Sequence, residues 1–553
     1  MTNTCAITEK PLDWTEQDLK LFKKLDVSPS TTQPEFRHQR KMAFRNEKSL
    51  YLRTCDLCKK ENISMFRPDS PFTVYCPKCW WSDNWNAEDF SQEYDETRPF
   101  LEQYHEFQKK VPKCALDNFD NENCNYANYV CHNKDSYMLF GSWFSEKTMY
   151  ANTTLHCLEC MDTLYPNKCK HSYELIDCEN CYELFYAQNC NSCSNSYFLF
   201  DCRNCQDCLF CWNLRSKQYH IMNKPVSKEE YEETLAKFQG SFSKTKHAYK
   251  TFKQQVQDQA LHKYMEGEKN ENVSGNLLWG CKNTQDVFYG LEVEDVTHSV
   301  RTSKKQKDSM FINGCSGGEL MYDSIHCDFC HNGKSSIGGE HNSDFAYCMI
   351  CYQCSDIFAC HSLRHKNNCI FNKQYSPEEY RKLRDKIIAK LREELHPETR
   401  GPVWGEFFPM SMSPFGYNET IAQEFYPITE DEATNLEANW LKKDKRDYQP
   451  ATIELPDSIK ETPDSILNET LACTECNKNY RIISQELAFY RKYSLPIPRK
   501  CFDCRHMDRM SLRAPFKAWD RTCTKCEKPL ISSYNPNRPE KVYCEECYLK
   551  EVY

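Results

Sequence analysis

The chain's cysteine pattern predicts a mainly β fold with helical connectors, in which tandem duplicated, cysteine-rich β-solenoid-like repeats are flanked by small ribbon modules. Three observations carry this. First, the stretch 177–231 returns at 326–380 with a constant offset of 149, so that Cys178, Cys181, Cys202, Cys205 and Arg215 reappear as Cys327, Cys330, Cys351, Cys354 and Arg364. The register reaches back to Asn121-Glu122-Asn123 and Asn270-Glu271-Asn272, which sets the duplicated units at 121–231 and 270–380. Second, a finer period of 12 runs through the first unit: Cys157, Cys169, Cys181, Cys193 and Cys205 in one column, Met149, Met161, Tyr173, Phe185 and Tyr197 in another. A short period with alternating runs such as SYFLFD stacks short strands, one side chain above the last. Third, Cys-x-x-Cys pairs close compact segments at both ends of the chain.

In chain order, 1–54 is a helical and basic segment, with Thr15 set to cap a short amphipathic helix and a break at Pro29 and Pro34. Cys55-x-x-Cys58 and Cys76-x-x-Cys79 come next at zinc-ribbon spacing (55–85), since two knuckles can converge four thiolates on one Zn²⁺. The aromatic cluster Trp80-Trp81 with Trp85 reads as packing between this ribbon and the next domain, with a base-stacking surface as the alternative. A helical connector (86–120) leads to repeat 1 (121–231), a helical spacer (232–269) and repeat 2 (270–380). Each repeat leaves through a capping-box signal, at Ser227 and Ser376. A helix (381–400) and an aromatic, Pro-rich segment with a linker (401–470) precede ribbon 2 (471–510) and ribbon 3 (521–553). Ribbon 3 copies ribbon 1: adding 468 carries Cys55, Cys58, Cys76 and Cys79 onto Cys523, Cys526, Cys544 and Cys547.

Inside the repeats, Cys178, Cys181, Cys202 and Cys205, with Cys327, Cys330, Cys351 and Cys354, recur in both copies. They read equally as a four-thiolate site in each repeat or as small buried apolar fillers. The expected cofactor is therefore Zn²⁺, at least three ions and up to five.

Composition bounds the function. The 553 residues exceed what one core supports. Mean hydropathy is −0.79, no 18-residue apolar run exists, and the first twenty residues are polar, so neither a membrane span nor a secretory signal is expected and the cytoplasm is. A reducing compartment favours metal thiolates over disulfides for the 36 cysteines. The net charge of −9 argues against a chain that coats nucleic acid, although basic residues exceed acidic ones eight to three over 34–60 and twelve to five over 481–528. Nucleic-acid contact is therefore assigned as an expectation to Arg37, Arg40, Lys41 and Arg45 and to Arg499, Lys500, Arg505, Arg509, Arg513 and Arg521.

The segment Cys473-x-x-Cys476, Glu486-x-x-Phe489-Tyr490, Pro498 and Cys501-x-x-Cys504-Arg505 resembles the bacterial "probable zinc-ribbon" family, which is treble-clef-like. The resemblance covers about 35 residues. It implies Zn²⁺ on Cys473, Cys476, Cys501 and Cys504 and lends no enzyme activity; the whole layout is similar to bacterial multi-ribbon proteins. With no phosphate-binding glycine loop and no His-Glu-x-x-His, the expected function is a non-enzymatic zinc-binding scaffold that meets a protein partner. The alternatives are a zinc-ribbon RNA- or DNA-binding protein, ribosome-associated in one version, and a thiol-redox protein using its Cys-x-x-Cys pairs.

Overall fold

A computed structural model describes residues 4–442 and 447–553; residues 1–3 of the N-terminal segment and 443–446 of the linker lie outside the described residues. The chain is mainly β, with twelve α-helices among the described residues. In the first repeat the strands Tyr182–Gln188, Ser194–Phe200 and Gln206–Trp212 lie parallel, with Phe185 beside Tyr197 and Tyr197 beside Leu209, a step of 12 per rung. Single-residue bridges carry the same register outward, from Lys134 to Glu146, Leu158, Lys170 and Tyr182.

Every third residue from Asp120 to Met222 has a positive φ, so each 12-residue rung turns four left-handed corners. An L-residue loses roughly 1–2 kcal/mol in that conformation, which Asn and Asp tolerate best. Asn180, Asn189, Asn195, Asp201, Asn204, Asp207 and Asn213 occupy corners accordingly. The second repeat keeps the register with two offsetting slips. Glu271 pairs with Lys282, one residue short, Val296 pairs with Ser309, one long, and Phe345 returns to Ile357 at 12.

The two repeats pass each other antiparallel. Tyr129 meets His326, Tyr165 stacks on Tyr289 at 4.4 Å, and Arg203 reaches Glu266 at 3.7 Å, so rising numbers in one face falling numbers in the other. The terminal segments cross over. The N-terminal helices Glu16–Lys24 and Pro34–Met42 pack on the second repeat, Phe22 against Tyr322, and the C-terminal helices Ser484–Lys492 and Phe502–Leu512 pack on the first, Tyr490 against Tyr173. Local signals start these helices: Thr15 and Asp18 form a capping box, as do Ser376 and Glu379 ahead of Pro377–Glu393, and Ser227 caps Lys228–Ala236. The aromatic segment after Gly401 is core, since Trp404, Phe407 and Phe408 are buried and Phe408 stacks on Tyr104 of the connector.

Candidate metal centres

Three groups of four cysteines bring their sulfurs within 4.8 Å of one another: Cys55, Cys58, Cys76 and Cys79; Cys473, Cys476, Cys501 and Cys504; and Cys523, Cys526, Cys544 and Cys547. All three are built alike. A short antiparallel strand pair holds the first two cysteines in its turn, namely Tyr51–Thr54 with Glu61–Ser64, Leu471–Ala472 with Asn479–Tyr480, and Trp519–Thr522 with Pro529–Ser532. The turn is tight because the residue after the second cysteine is left-handed (Lys59, Asn477, Glu527). Its closure is fixed by the first cysteine's N–H, which donates to the carbonyl of Lys60, Lys478 or Lys528. The third cysteine precedes a helix in every case: Cys76, Cys501 and Cys544 are N-caps. Backbone N–H groups and the positive end of the helix dipole thus face the thiolates.

The sulfur spacing fits a tetrahedral ion. Cys58 and Cys76 are 4.0 Å apart, Cys476 and Cys501 3.7 Å, and Cys526 and Cys544 3.7 Å. Four thiolates bonded at about 2.3 Å to one Zn²⁺ stand about 3.8 Å apart, whereas a disulfide needs about 2.05 Å. Burial opposes ionisation of Cys55, Cys473 and Cys523, yet backbone N–H donors, from Cys76, Cys476 and Cys544 foremost, outweigh it and bring these thiols down to about 7, 6 and 6. Desolvation and the neighbouring sulfurs push Cys79 and Cys547 up to about 12. One thiolate forms readily in each group; four together require a cation.

Each group supplies four protein ligands and leaves no open position, which is the geometry of a structural rather than a catalytic ion. The first and third groups also tie into the repeats. Val74 and Tyr75 pair with Lys113 and Cys114, just ahead of repeat 1, and Val542 and Tyr543 pair with His262 and Lys263, just ahead of repeat 2. The aromatic after the fourth cysteine then seats against an arginine of the other repeat, Trp80 under Arg364 and Tyr548 bonded to Arg215. Trp80 is fully buried, consistent with packing at this junction.

The repeat cysteines do not converge. Cys178 and Cys202 sit two rungs apart with Cys190 between them, about 10 Å at the usual strand spacing. Cys181 and Cys205 are likewise separated by Cys193. Their thiols donate instead to carbonyls, Cys178 to Ile176 and Ala187, Cys181 to Glu179, Cys202 to Phe200 and Cys211, and Cys205 to Arg203. In the second repeat Asn342 fills the rung between Cys330 and Cys354, accepting from the Cys354 N–H, while Cys327 and Cys351 donate to the carbonyls of Ile325 and Met349. These eight cysteines are buried, and among the described residues none belongs to a group whose sulfurs converge as in the ribbons, because the ladder's axial step is too long for one ion to bridge alternate rungs.

The basic residues assigned to nucleic acid are also placed otherwise. Arg37, Arg40 and Lys41 are 0% exposed and Arg45 is 5% exposed. Arg37 and Lys41 both bond Asp323, Glu406 joins Arg37 to Arg40 at 2.6 and 2.7 Å, and Arg45 holds Glu47. Buried Arg505 and Arg509 meet Asp162 at 3.1 and 3.0 Å, and Arg509 also meets Glu174 at 3.1 Å. Arg499 donates to the carbonyls of Leu455 and Pro456, Lys500 pairs with Glu475 and Asp508, and Arg513 stacks on Phe425 and Phe516. Arg521 donates to the carbonyls of Tyr534, Asn535 and Glu540. Buried cations need fixed partners, and Arg37, Lys41, Arg505 and Arg509 find theirs on acidic rungs of the repeats, docking the terminal segments there.

That docking exposes a signal missed in the sequence. The offset of 468 continues upstream of the ribbons without a gap, matching Cys5, Lys10, Leu19, Arg37, His38 and Met42 with Cys473, Lys478, Leu487, Arg505, His506 and Met510. The backbone agrees: Cys5 N–H donates to Lys10 as Cys473 does to Lys478, and Ala6 donates to Thr31 as Thr474 does to Arg499. Thr8, Gln33 and Phe36 stand where ribbon 2 has Cys476, Cys501 and Cys504. Arginine–histidine pairs at both ends were the readable clue.

No protein-family model matches the chain, and no curated protein does. Among solved structures, one described as a "putative acetyltransferase" from Desulfovibrio desulfuricans G20 aligns at 11% identity over 43% of this chain and 64% of that one, with a TM-score of 0.12.

Proposed function

We propose that the protein is a non-enzymatic, zinc-stabilised scaffold, in which two cysteine-rich β-solenoids are clamped side by side by ribbon modules. The observation that carries this reading is the placement of the closed four-cysteine groups: two of them extend the sheet ahead of one repeat while gripping an arginine of the other. The 12-residue register, unbroken in the first repeat and restored after two offsetting slips in the second, supports the solenoid, and likeness to bacterial zinc ribbons supports the modules. Thiolate-only ligation favours zinc among the available divalent ions. All 36 cysteines are unpaired, which supports a reducing compartment such as the cytoplasm. No described helix is long and apolar enough to cross a membrane.

The test is elemental analysis combined with an insulin-reduction assay on the same sample. Three zinc ions per chain with no reductase activity is the expected result. Five ions, or turnover of disulfides by the fully zinc-loaded protein, would sink the reading in favour of repeat sites or a thiol-redox enzyme.

A further inference from the structure

We propose that the cavity between the first ribbon and the two repeats binds a nucleotide, its phosphate held at Arg364 and Lys304 and its base among the aromatic side chains of the rim. The cavity measures about 410 Å³, in the range of small-ligand sites. A second cavity of about 330 Å³ occupies the equivalent place beside ribbon 3. The offsets of 149 and 468 carry Arg45, Asp117 and Ile325 of the first onto Arg513, Glu266 and Ile176 of the second. The fold therefore builds this space twice, and the differences between the copies show what it does not itself require.

The first difference is electrostatic. Arg215 of repeat 1 is neutralised by Asp201 at 3.1 Å. In repeat 2 the counterpart of Arg215 is Arg364, but that of Asp201 is Ile350. Arg364 consequently makes no ion pair among the described residues, the Asp83 carboxylate acting on it only from farther off; it donates to the Ser82 carbonyl at 3.5 Å, lies over Trp80, Trp81 and Trp85 at 5.3–5.7 Å and lines the cavity. Lys304, also on the lining, makes no ion pair among the described residues, although the Asp328 carboxylate acts on it from farther off, and in the slipped register its counterpart is His156. Partly desolvated cations outside ion pairs are what phosphate recognition uses.

The second difference is aromatic. Trp81, Phe119, Phe144 and Phe329 line the cavity while remaining 36–54% exposed. At the other end the same positions hold Leu549, Glu268, Glu292 and Asn180, so the stacked rungs do not need rings there. Exposed rings concentrated around one opening mark a binding site, and rings beside these cations suit a base attached to a phosphate.

The experiment titrates the full zinc-loaded chain with AMP, adenosine and a single-stranded oligoadenylate, read by quenching of tryptophan fluorescence at about 50 mM salt. AMP is expected to bind and adenosine to bind more weakly. An oligonucleotide that binds at least about tenfold tighter than AMP identifies the source as a nucleic-acid strand; equal affinity identifies a free nucleotide. Arg364→Gln and the exposed-site variant Phe329→Ala are each expected to raise the Kd about tenfold. Ile350→Asp, which copies the neutralised arrangement of repeat 1, is expected to abolish binding with an unchanged melting temperature. Absence of binding by either probe at about 1 mM, adenosine binding as tightly as AMP, or wild-type affinity in all three variants would overturn the proposal.

Discussion

The N-terminal element, 4–42, and ribbon 2, 471–510, share one backbone and are held in shape by different means. Each opens with a cysteine whose N–H closes the same five-residue turn, and each lays a helix carrying Arg-His against an acidic rung of a repeat. Ribbon 2 completes its knuckle with four cysteines. The N-terminal copy has only Cys5, and at the other positions the Thr8 hydroxyl donates to the Gln33 side chain at 3.0 Å while Phe36 is buried. It offsets the missing ligands with contacts to repeat 2: Trp14 and Phe22 pack on Phe311, and Asp323 takes both Arg37 and Lys41. One ribbon fold can thus be stabilised by an ion from within or by a neighbour from outside. A segment without the four cysteines depends on the repeat it sits on.

Metal removal separates the two most sharply. A structural zinc contributes on the order of 10 kcal/mol in small ribbons, so Cys473→Ser should cost one zinc per chain and release 471–510 from repeat 1. Hydrogen exchange across 4–42 should stay protected in that variant; equal loss of protection at both ends would break the comparison. In the converse graft, Thr8→Cys, Gln33→Cys and Phe36→Cys together should raise zinc content from three to four.

Next in size is the acid that replaces the ion. Asp323→Ala leaves Lys41 buried without its anion and Arg37 with Glu406 alone, and breaking such a group costs about 3–5 kcal/mol. Burial opposes the charge on Lys41 and, against the attraction of Asp323, already brings it down to about 8. Thermal unfolding of the variant should begin at the N-terminal element, whereas Glu174→Gln, at a half-buried site on the ribbon 2 side, should cost less.

A pH effect of about 3 kcal/mol is expected on the N-terminal side. His298 of repeat 2 lies between Asp18 and Asp286 at 3.2 and 3.1 Å. Desolvation disfavours its charge, but those two carboxylates prevail and raise it to about 9. The folded value lies above the unfolded one near 6.5, so this contribution is full below about pH 6.5 and is lost as pH rises through 9. Protection factors in the helix Glu16–Lys24, which correct for the intrinsic rise of amide exchange with pH, should fall between pH 7 and 10 in the wild type and show no such step in His298→Asn. The smallest effect belongs to Thr8→Val, under about 1 kcal/mol, since the hydrogen bond it removes is exposed.

The sequence by itself determined the periodicities and the ligand sets. The 149-residue duplication, the 12-residue rung and the Cys-x-x-Cys spacings are local or translational patterns, and stacking copies them directly into a parallel register and converging sulfurs. It also carried a readable but unread sign of the four-cornered rung, Asn and Asp clustering at positions that are multiples of three apart. Only the tertiary structure decided which cysteines converge in fours and which lie along a ladder, because the Cys178 and Cys202 pairs have a ligand-like spacing on paper and lie two rungs apart in space. The same holds for charge. Arg37 and Arg505 read as basic surface until the chain ends cross over and set them against Asp323 and Asp162. Composition records how many cations a segment has, and only packing between segments far apart in the chain records whether an anion waits beneath them.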